Sequence, residues 1–264
     1  MVLHIIKKSF NFEDIMALEF IKKYSQPVVR RDSQVSNLFD LVTRRQWLTV
    51  SNLLTDNVDE LRHPANNDSL LHVACKYQPP IQVIKKIVNV SPDLVSLINF
   101  DGQSPLHVAA QYGASPEVIC FLCLSNPDTS EFQDIKGKTP LHLACESYIN
   151  HYVQSPNRTP QEALLLTVKV LVRTSPTTVN LEDVDDMSAV EYLLDAEIDL
   201  KIVRVIQKAS VKEWERRRAV IGKIVKDTVQ EQYEEQKSNL QLHLKKQQKD
   251  YKIQQRKSTV ALSA

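Results

Sequence analysis

Three histidines recur at a fixed interval, and a row of imidazoles could hold a metal ion or act as general bases. His72, His107 and His142 lie 35 residues apart, each within Leu-His-Val-Ala or Leu-His-Leu-Ala. Neutral imidazole is a common metal ligand and titrates near neutral pH. Neighbouring helices pack about 10 Å apart, which is too far for histidines on successive helices to share one ion. We therefore expect these histidines to be structural, with no catalytic or metal-binding role.

A second candidate for chemistry is the Cys-x-x-Cys formed by Cys120 and Cys123. This spacing can bind zinc or support redox exchange. Here both cysteines lie inside the apolar stretch 118–124, which we expect to be a buried helix. The other two cysteines are distant and form no second pair. Core packing is the preferred interpretation, because a free cysteine behaves as a small apolar residue.

The 35-residue interval also carries a full set of helix-start signals. Ser69, Ser104 and Thr139 precede the Leu-His motifs and can cap a helix, and a proline follows the last two. Ser36 and Ser188 extend the series, with intervals of 33, 35, 35 and 49 residues. Apolar stretches that begin at 83, 118, 167 and 202 show the same 35- and 49-residue steps. The chain is therefore a repeat array with one insertion of about 14 residues in its fourth unit, across 148–160.

These motifs resemble the ankyrin repeat, whose pattern is a β-turn, Thr-Pro-Leu-His-x-Ala and two antiparallel helices. Residues 104–109 (Ser-Pro-Leu-His-Val-Ala) and 139–144 (Thr-Pro-Leu-His-Leu-Ala) match almost throughout, and 69–74 lacks only the proline. The resemblance implies an all-α ankyrin solenoid of about five units. It also implies that the repeated histidines bond to the backbone of their own and neighbouring turns.

The sequence divides into three regions. We expect an N-terminal cap helix and linker at 1–34, the ankyrin repeat domain at 35–210 and a basic helical tail at 211–264. The tail holds 13 Lys/Arg against 7 Asp/Glu, in a chain of net charge +1. Its composition favours one long helix, and apolar residues at three-, four- and seven-residue steps make a short coiled coil a second expectation.

The resemblance places the binding surface of such an array in a concave groove formed by the turn tips and the ends of the first helices. Tyr77, Phe100 and Tyr112 are our preferred contact residues, since exposed aromatics are frequent hot spots. The alternative is that Tyr77 and Tyr112 support their neighbours. The full set carried over to this sequence is Lys76, Tyr77, Phe100, Asp101, Gln103, Gln111, Tyr112, Ile135, Lys136, Lys138 and Glu146.

The insertion at 148–160 breaks an otherwise regular array and contains Tyr148, His151 and Tyr152. Insertions in repeat proteins often lie on a binding face. A surface loop without function is the competing interpretation.

The composition argues against several other classes of protein. With four glycines, three of them inside the repeats, the chain has no Gly-rich phosphate loop, and it lacks the Gly-x-Ser-x-Gly and His-Glu-x-x-His motifs. We expect no enzyme activity, no cofactor and no small-molecule substrate. The absence of a long apolar run predicts no membrane span, and the first ten residues do not resemble a signal peptide. Reduced thiols and a cytoplasmic location follow, with the nucleus as the alternative.

The sequence thus predicts a non-catalytic scaffold or adaptor that binds a protein partner in the ankyrin groove. One alternative is a regulatory adaptor whose basic tail, with Arg216, Arg217 and Arg218, binds nucleic acid or acidic lipid. Another is a structural protein that self-associates through 211–257.

Overall fold

The computed structural model describes residues 33–54, 63, 65–153, 157–195 and 198–261. The chain divides into two compact units, Met1–Val211 and Lys212–Ala264. The predicted cap helix and the linker before residue 33 lie outside the described residues.

The first unit is an all-α stack in its described part, which contains no strand. The helices form successive pairs joined by turns. A 3-10 turn follows the second helix of the three central pairs, at Pro92–Ser96, Pro127–Ser130 and Pro176–Asn180. The pairs are α1 (Ser33–Thr43) with α2 (Trp47–Leu53), α3 (Leu70–Lys76) with α4 (Ile81–Val90), α5 (Pro105–Gln111) with α6 (Pro116–Ser125), α7 (Pro140–Glu146) with α9 (Pro160–Thr174), and α10 (Ala189–Asp195) with the start of α11 (Leu200–Ala261). The insertion lies between α7 and α9, as predicted, and contributes the one-turn helix α8 (Tyr148–His151).

Reciprocal caps start the three central first helices. The amide N–H of Ser69, Ser104 and Thr139 donates to Nδ1 of the histidine three residues later, at 3.1, 3.2 and 3.3 Å. The histidine therefore takes the place that Glu or Gln has in the usual capping box. In the last repeat Glu191 does the same for the N–H of Ser188, at 2.6 Å.

The predicted cap at Ser36 is wrong, because Ser36 lies inside α1, which begins at Ser33. Three residues after Ser36 stands Phe39, which cannot accept the backbone N–H that the histidine or Glu191 accepts at the other helix starts.

The other ring nitrogen of each histidine reaches the following repeat. Nε2 of His72 donates to the carbonyl of Gln103 at 2.9 Å, and Nε2 of His142 donates to the carbonyl of Leu181 at 3.0 Å. His107 lies between the carbonyls of Phe132 and Lys138, at 3.0 and 3.2 Å. Because Nδ1 accepts a backbone N–H, the proton resides on Nε2. All three rings are buried, so each one joins two repeats in a dry environment.

The two helices of a pair differ in how much of their surface is buried. The central first helices are buried nearly all round, since each is packed between its neighbours. Ala74, Ala109 and Ala144 occupy equivalent positions there, and their small side chains permit close approach of the backbones. The second helices bury one face only, as Val83, Ile84 and Ile87 show in α4.

The second unit is formed by the helical residues of α11 from Lys212 onward. Between 212 and 238 every side chain is exposed except Glu213, which is buried, and Arg217, which is half-buried.

The buried histidines predict a loss of stability in mild acid. Burial lowers the pKa of His107 from 6.5 to about 4, although Asp134 opposes the shift. The unfolded chain therefore binds a proton between pH 6.5 and 4 that the folded chain does not, and stability must fall as the pH drops through this window. For this one residue we expect a loss of roughly 1 to 2 kcal/mol between pH 7 and pH 5, measured by urea denaturation.

The matched variant is His107→Gln, which retains a donor and an acceptor but does not titrate. It should be less stable at pH 7, yet lose less stability between pH 7 and pH 5 than the natural chain. Equal losses in both proteins would contradict a neutral, buried His107.

Candidate functional site

The turns between repeats share a side-chain brace. Oδ1 of Asn99 accepts the N–H groups of the residues two and four positions on, at 3.0 and 2.9 Å. Asp134 repeats these contacts at 2.9 and 2.9 Å, and Asp183 repeats them at 2.9 and 3.1 Å. Each turn is therefore held in one conformation by its own first residue.

A polar side chain of the preceding repeat contacts each of these three residues. The partners are Asp68 with Asn99 at 2.9 Å, Gln103 with Asp134 at 3.1 Å, and Lys138 with Asp183 at 3.7 Å. Asp68, Gln103 and Lys138 are equivalent, since each immediately precedes a helix cap. Two predicted groove residues, Gln103 and Lys138, thus join neighbouring repeats.

Lys138 is the buried centre of a polar cluster. Its Nζ lies 2.7 Å from Oε1 of Glu146 and 4.8 Å from the centroid of the Tyr192 ring, and Tyr192 donates to Asp183 at 2.5 Å. Burial alone lowers the pKa of Lys138, but the contacts with Glu146 and Tyr192 outweigh it, so the pKa is raised and the ammonium stays charged. Glu146, another predicted contact residue, is exposed but committed to this pair.

Backbone hydrogen bonds join the turn tips to one another. The N–H groups of Phe100, Ile135 and Val184 each donate at 3.0 Å to a carbonyl of the preceding turn, which belongs to Asn66, Asp101 and Lys136 respectively. The side chains of these three donors are 56%, 58% and 66% exposed. We name Phe100, Ile135 and Val184 the tip row. It presents three apolar groups to solvent on a hydrogen-bonded backbone.

Charged side chains stand beside the tip row. Asp101 follows Phe100, Lys136 follows Ile135 and Asp185 follows Val184, and all three are exposed. The charge that flanks the tip row is therefore negative, positive and negative along the three turns.

The helix-end residues form a second group. Nζ of Lys76 lies 5.1 Å from the centroid of the Tyr112 ring, a cation–π contact between neighbouring repeats. Lys76 is exposed, whereas Tyr77, Gln111 and Tyr112 are half-buried, and Tyr77 and Tyr112 pack against the core.

The insertion packs onto this second group. The rings of Tyr112 and His151 are 4.7 Å apart, and Nε2 of Gln78 donates to the carbonyls of both residues at 3.2 and 3.3 Å. A Cβ on Gly113 would stand 2.9 Å from the carbonyl oxygen of His151, so the close approach requires glycine there. Tyr112 thus contacts both the insertion, through His151, and Lys76 of the preceding repeat.

Both ends of the insertion are anchored. Tyr152 is buried and donates from its hydroxyl to the carbonyl of Ala110 at 3.1 Å. Arg158 pairs with Glu117 at 2.5 Å, and this bond lowers the pKa of Glu117 to about 2. Ile149 and Val153 remain exposed.

The four cysteines, which were considered for metal or redox chemistry, lie within helices and not in the turns. Cys123 is buried and accepts a hydrogen bond from the Ser130 hydroxyl at 3.6 Å, while Cys120 is half-buried. Burial raises the pKa of the Cys75, Cys123 and Cys145 thiols, which disfavours the reactive thiolate. Within the described ranges, no three His, Cys, Asp or Glu side chains are grouped as metal ligands.

The basic cluster of the tail is partly neutralised. Arg216 donates to Glu213 at 2.7 Å, and Arg217 donates to the same carboxylate at 2.9 Å. These bonds hold the pKa of Glu213 at about 2. Two of the three consecutive arginines therefore already have an anionic partner, which weakens the case for a phosphate-binding patch.

Sequence reasoning missed Val184 and the three turn braces, although the repeat interval contained the signal. Asn99, Asp134 and Asp183 are spaced by 35 and 49 residues, and so are Phe100, Ile135 and Val184. These are the intervals that had already located the helices.

Comparison with known families matches residues 71–154 to the model described as ankyrin repeats, in three copies. A comparison of the chain with characterised proteins gave no significant match. Among the described helices, none combines the length and the apolar character that crossing a bilayer requires.

The anchoring of the insertion predicts different effects for two neighbouring tyrosines. Tyr152→Phe removes a buried hydroxyl and leaves the Ala110 carbonyl without this donor, so the free energy of unfolding should fall by about 1 kcal/mol. Tyr148→Phe is the control, because the Tyr148 hydroxyl makes no hydrogen bond among the described residues, and it should change stability by less than about 0.5 kcal/mol. Urea denaturation measures both, and equal effects would argue against the anchor.

Proposed function

Because this chain carries ankyrin repeats, which are protein–protein interaction modules, we propose that it is a non-catalytic adaptor that binds a protein partner through the tip row and its flanking charges. The observation that carries the proposal is the combination of exposure and rigidity at Phe100, Ile135 and Val184.

The exposed apolar side chains supply the affinity in this proposal. Neighbouring repeats place the tips about 10 Å apart, so the three side chains span roughly two such steps of a partner surface. Covering them removes apolar area from water, and an aromatic ring such as that of Phe100 is a frequent hot spot.

The backbone ladder supplies preorganisation. Each tip residue is held by a 3.0 Å hydrogen bond to the preceding turn, and each turn is braced by Asn99, Asp134 or Asp183. A surface that is already ordered loses little conformational entropy on docking, so more of the contact energy appears as affinity.

The alternating charges supply selectivity. A partner that meets Asp101, Lys136 and Asp185 in turn needs the opposite order of signs, and a shift by one repeat would bring like charges together. Charges at the rim of an interface mainly fix the register of the two partners and raise the rate of association.

The chemistry-bearing side chains support a non-catalytic role. Both ring nitrogens of each repeated histidine are engaged by the fold, with the cap residue on one side and a backbone carbonyl on the other. Burial lowers the pKa of His142 as well as that of His107, which keeps both rings neutral near pH 7. A buried neutral donor of this kind stabilises the stack and is poorly placed to exchange protons with a substrate.

The test removes the tip row while preserving the fold. The variant Phe100→Ala, Ile135→Ala, Val184→Ala should lose at least tenfold in binding, since hot-spot truncation typically costs about 2 kcal/mol or more. Immobilised wild-type chain is used to capture partners from cell extract, and each captured protein is then titrated as a purified component.

The control carries Leu48→Ala, Leu124→Ala and Leu200→Ala, three side chains on second helices that are 77%, 76% and 60% exposed. It removes a similar amount of exposed apolar surface and should bind like the wild type. Both variants are first compared with wild type by urea denaturation. Unchanged binding by the tip-row variant, or an equal loss in the control, would overturn the proposal.

A further inference from the structure

The second unit carries an exposed apolar stripe. At 3.6 residues per turn its members spread over an arc of about 220° that is centred on Ile221 and Val225, so the opposite side of the helix carries none of them. They are 47% to 59% exposed, which is costly for β-branched and aromatic side chains in water. The stripe consists of Val220, Ile221, Ile224, Val225, Val229 and Tyr233.

The charges of the same segment are sorted into two blocks. Residues 216–226 contain five Lys or Arg and no acidic residue, and residues 227–235 contain four Asp or Glu and no basic residue. The boundary lies between Lys226 and Asp227. This boundary is also the midpoint of the apolar stripe, which runs from Val220 to Tyr233.

We propose that this face binds a second copy of the same helix in antiparallel orientation, centred between Lys226 and Asp227. In that arrangement the basic block of each helix lies along the acidic block of its partner, and the two apolar stripes coincide. Ile221 and Val225 then lie nearest to the partner helix, Ile224 and Val229 flank them, and Arg218 meets Glu235 across the contact. A parallel pair in register would place basic against basic and acidic against acidic, which is unfavourable.

The size of the stripe sets the strength of the dimer. Six half-exposed side chains on each helix, with the stems of flanking charged residues, give a total buried area on the order of 1,000 Å², the lower limit for specific interfaces. We therefore expect a reversible dimer with a dissociation constant in the micromolar range. This inference is independent of the proposed recognition by the tip row.

The first experiment measures the oligomeric state of the full chain by sedimentation equilibrium from about 1 to 200 μM. Wild type should pass from monomer to dimer, and Val225→Asp with Val229→Asp should remain monomeric. The control, Ala219→Asp with Gln230→Asp, adds the same charge at exposed positions on the opposite side of the helix and should dimerise. A monomeric wild type, or a dimer that survives the stripe variant, overturns the proposal.

The second experiment tests the orientation. Arg218→Glu and Glu235→Arg should each weaken the dimer by roughly tenfold, because each opposes like charges at two symmetric sites. The double variant restores both pairs and should recover the wild-type dissociation constant. In a parallel dimer each residue faces its own copy, so a single reversal would leave like charges opposed as before. No change in the single variants, or no recovery in the double variant, rejects the antiparallel arrangement.

Discussion

The hydrogen bond from each repeated histidine to a carbonyl of the following repeat is the contact on which the rest of the stack depends. The ring nitrogens of His72, His107 and His142 are buried, and one nitrogen of each finds its partner on the next repeat. A buried polar group without a partner costs about 1 to 3 kcal/mol, so these rings can be buried at low cost only where the next repeat supplies the carbonyl. This constraint makes neighbouring repeats mutually dependent, and the side-chain links from Gln103 and Lys138 add to it.

The same dependence explains why the surface of the stack is suited to recognition. Turns that are fixed from one repeat to the next can expose Phe100, Ile135 and Val184 without allowing them to collapse onto the core. The repeated histidines, whose spacing could suggest a catalytic row, join neighbouring repeats in the interior. The exposed apolar and charged side chains lie at the turn tips. The insertion extends this principle at the other end of the first helices, where Gln78 joins two carbonyls and Tyr152 reaches back to Ala110.

The repeat interval made most of the fold predictable. Helix caps are local signals, so Ser69, Ser104 and Thr139 identified helix starts directly, and the 49-residue step located the insertion. The prediction at Ser36 failed because Phe39, three residues on, has no acceptor to complete the reciprocal cap. The repeat interval does not predict the direction in which a long side chain extends. The direction of Lys138 is set by Glu146 and Asp183, and the environment of Tyr112 is set by residues of the insertion. Val184 was predictable in principle, since it stands 49 residues after Ile135.

The contacts between repeats imply that the turn tips open only together with the neighbouring repeats. Native-state hydrogen exchange of the Phe100, Ile135 and Val184 amides tests it directly, because these N–H groups form the bonds between turns. We expect these amides to exchange with the same free energy of opening as core amides such as that of Val108, and we expect urea to lower both free energies with the same slope. Exchange of the tip amides at least a hundredfold faster than that of the core, with little dependence on urea, would show that the tips open locally and independently of the neighbouring repeats.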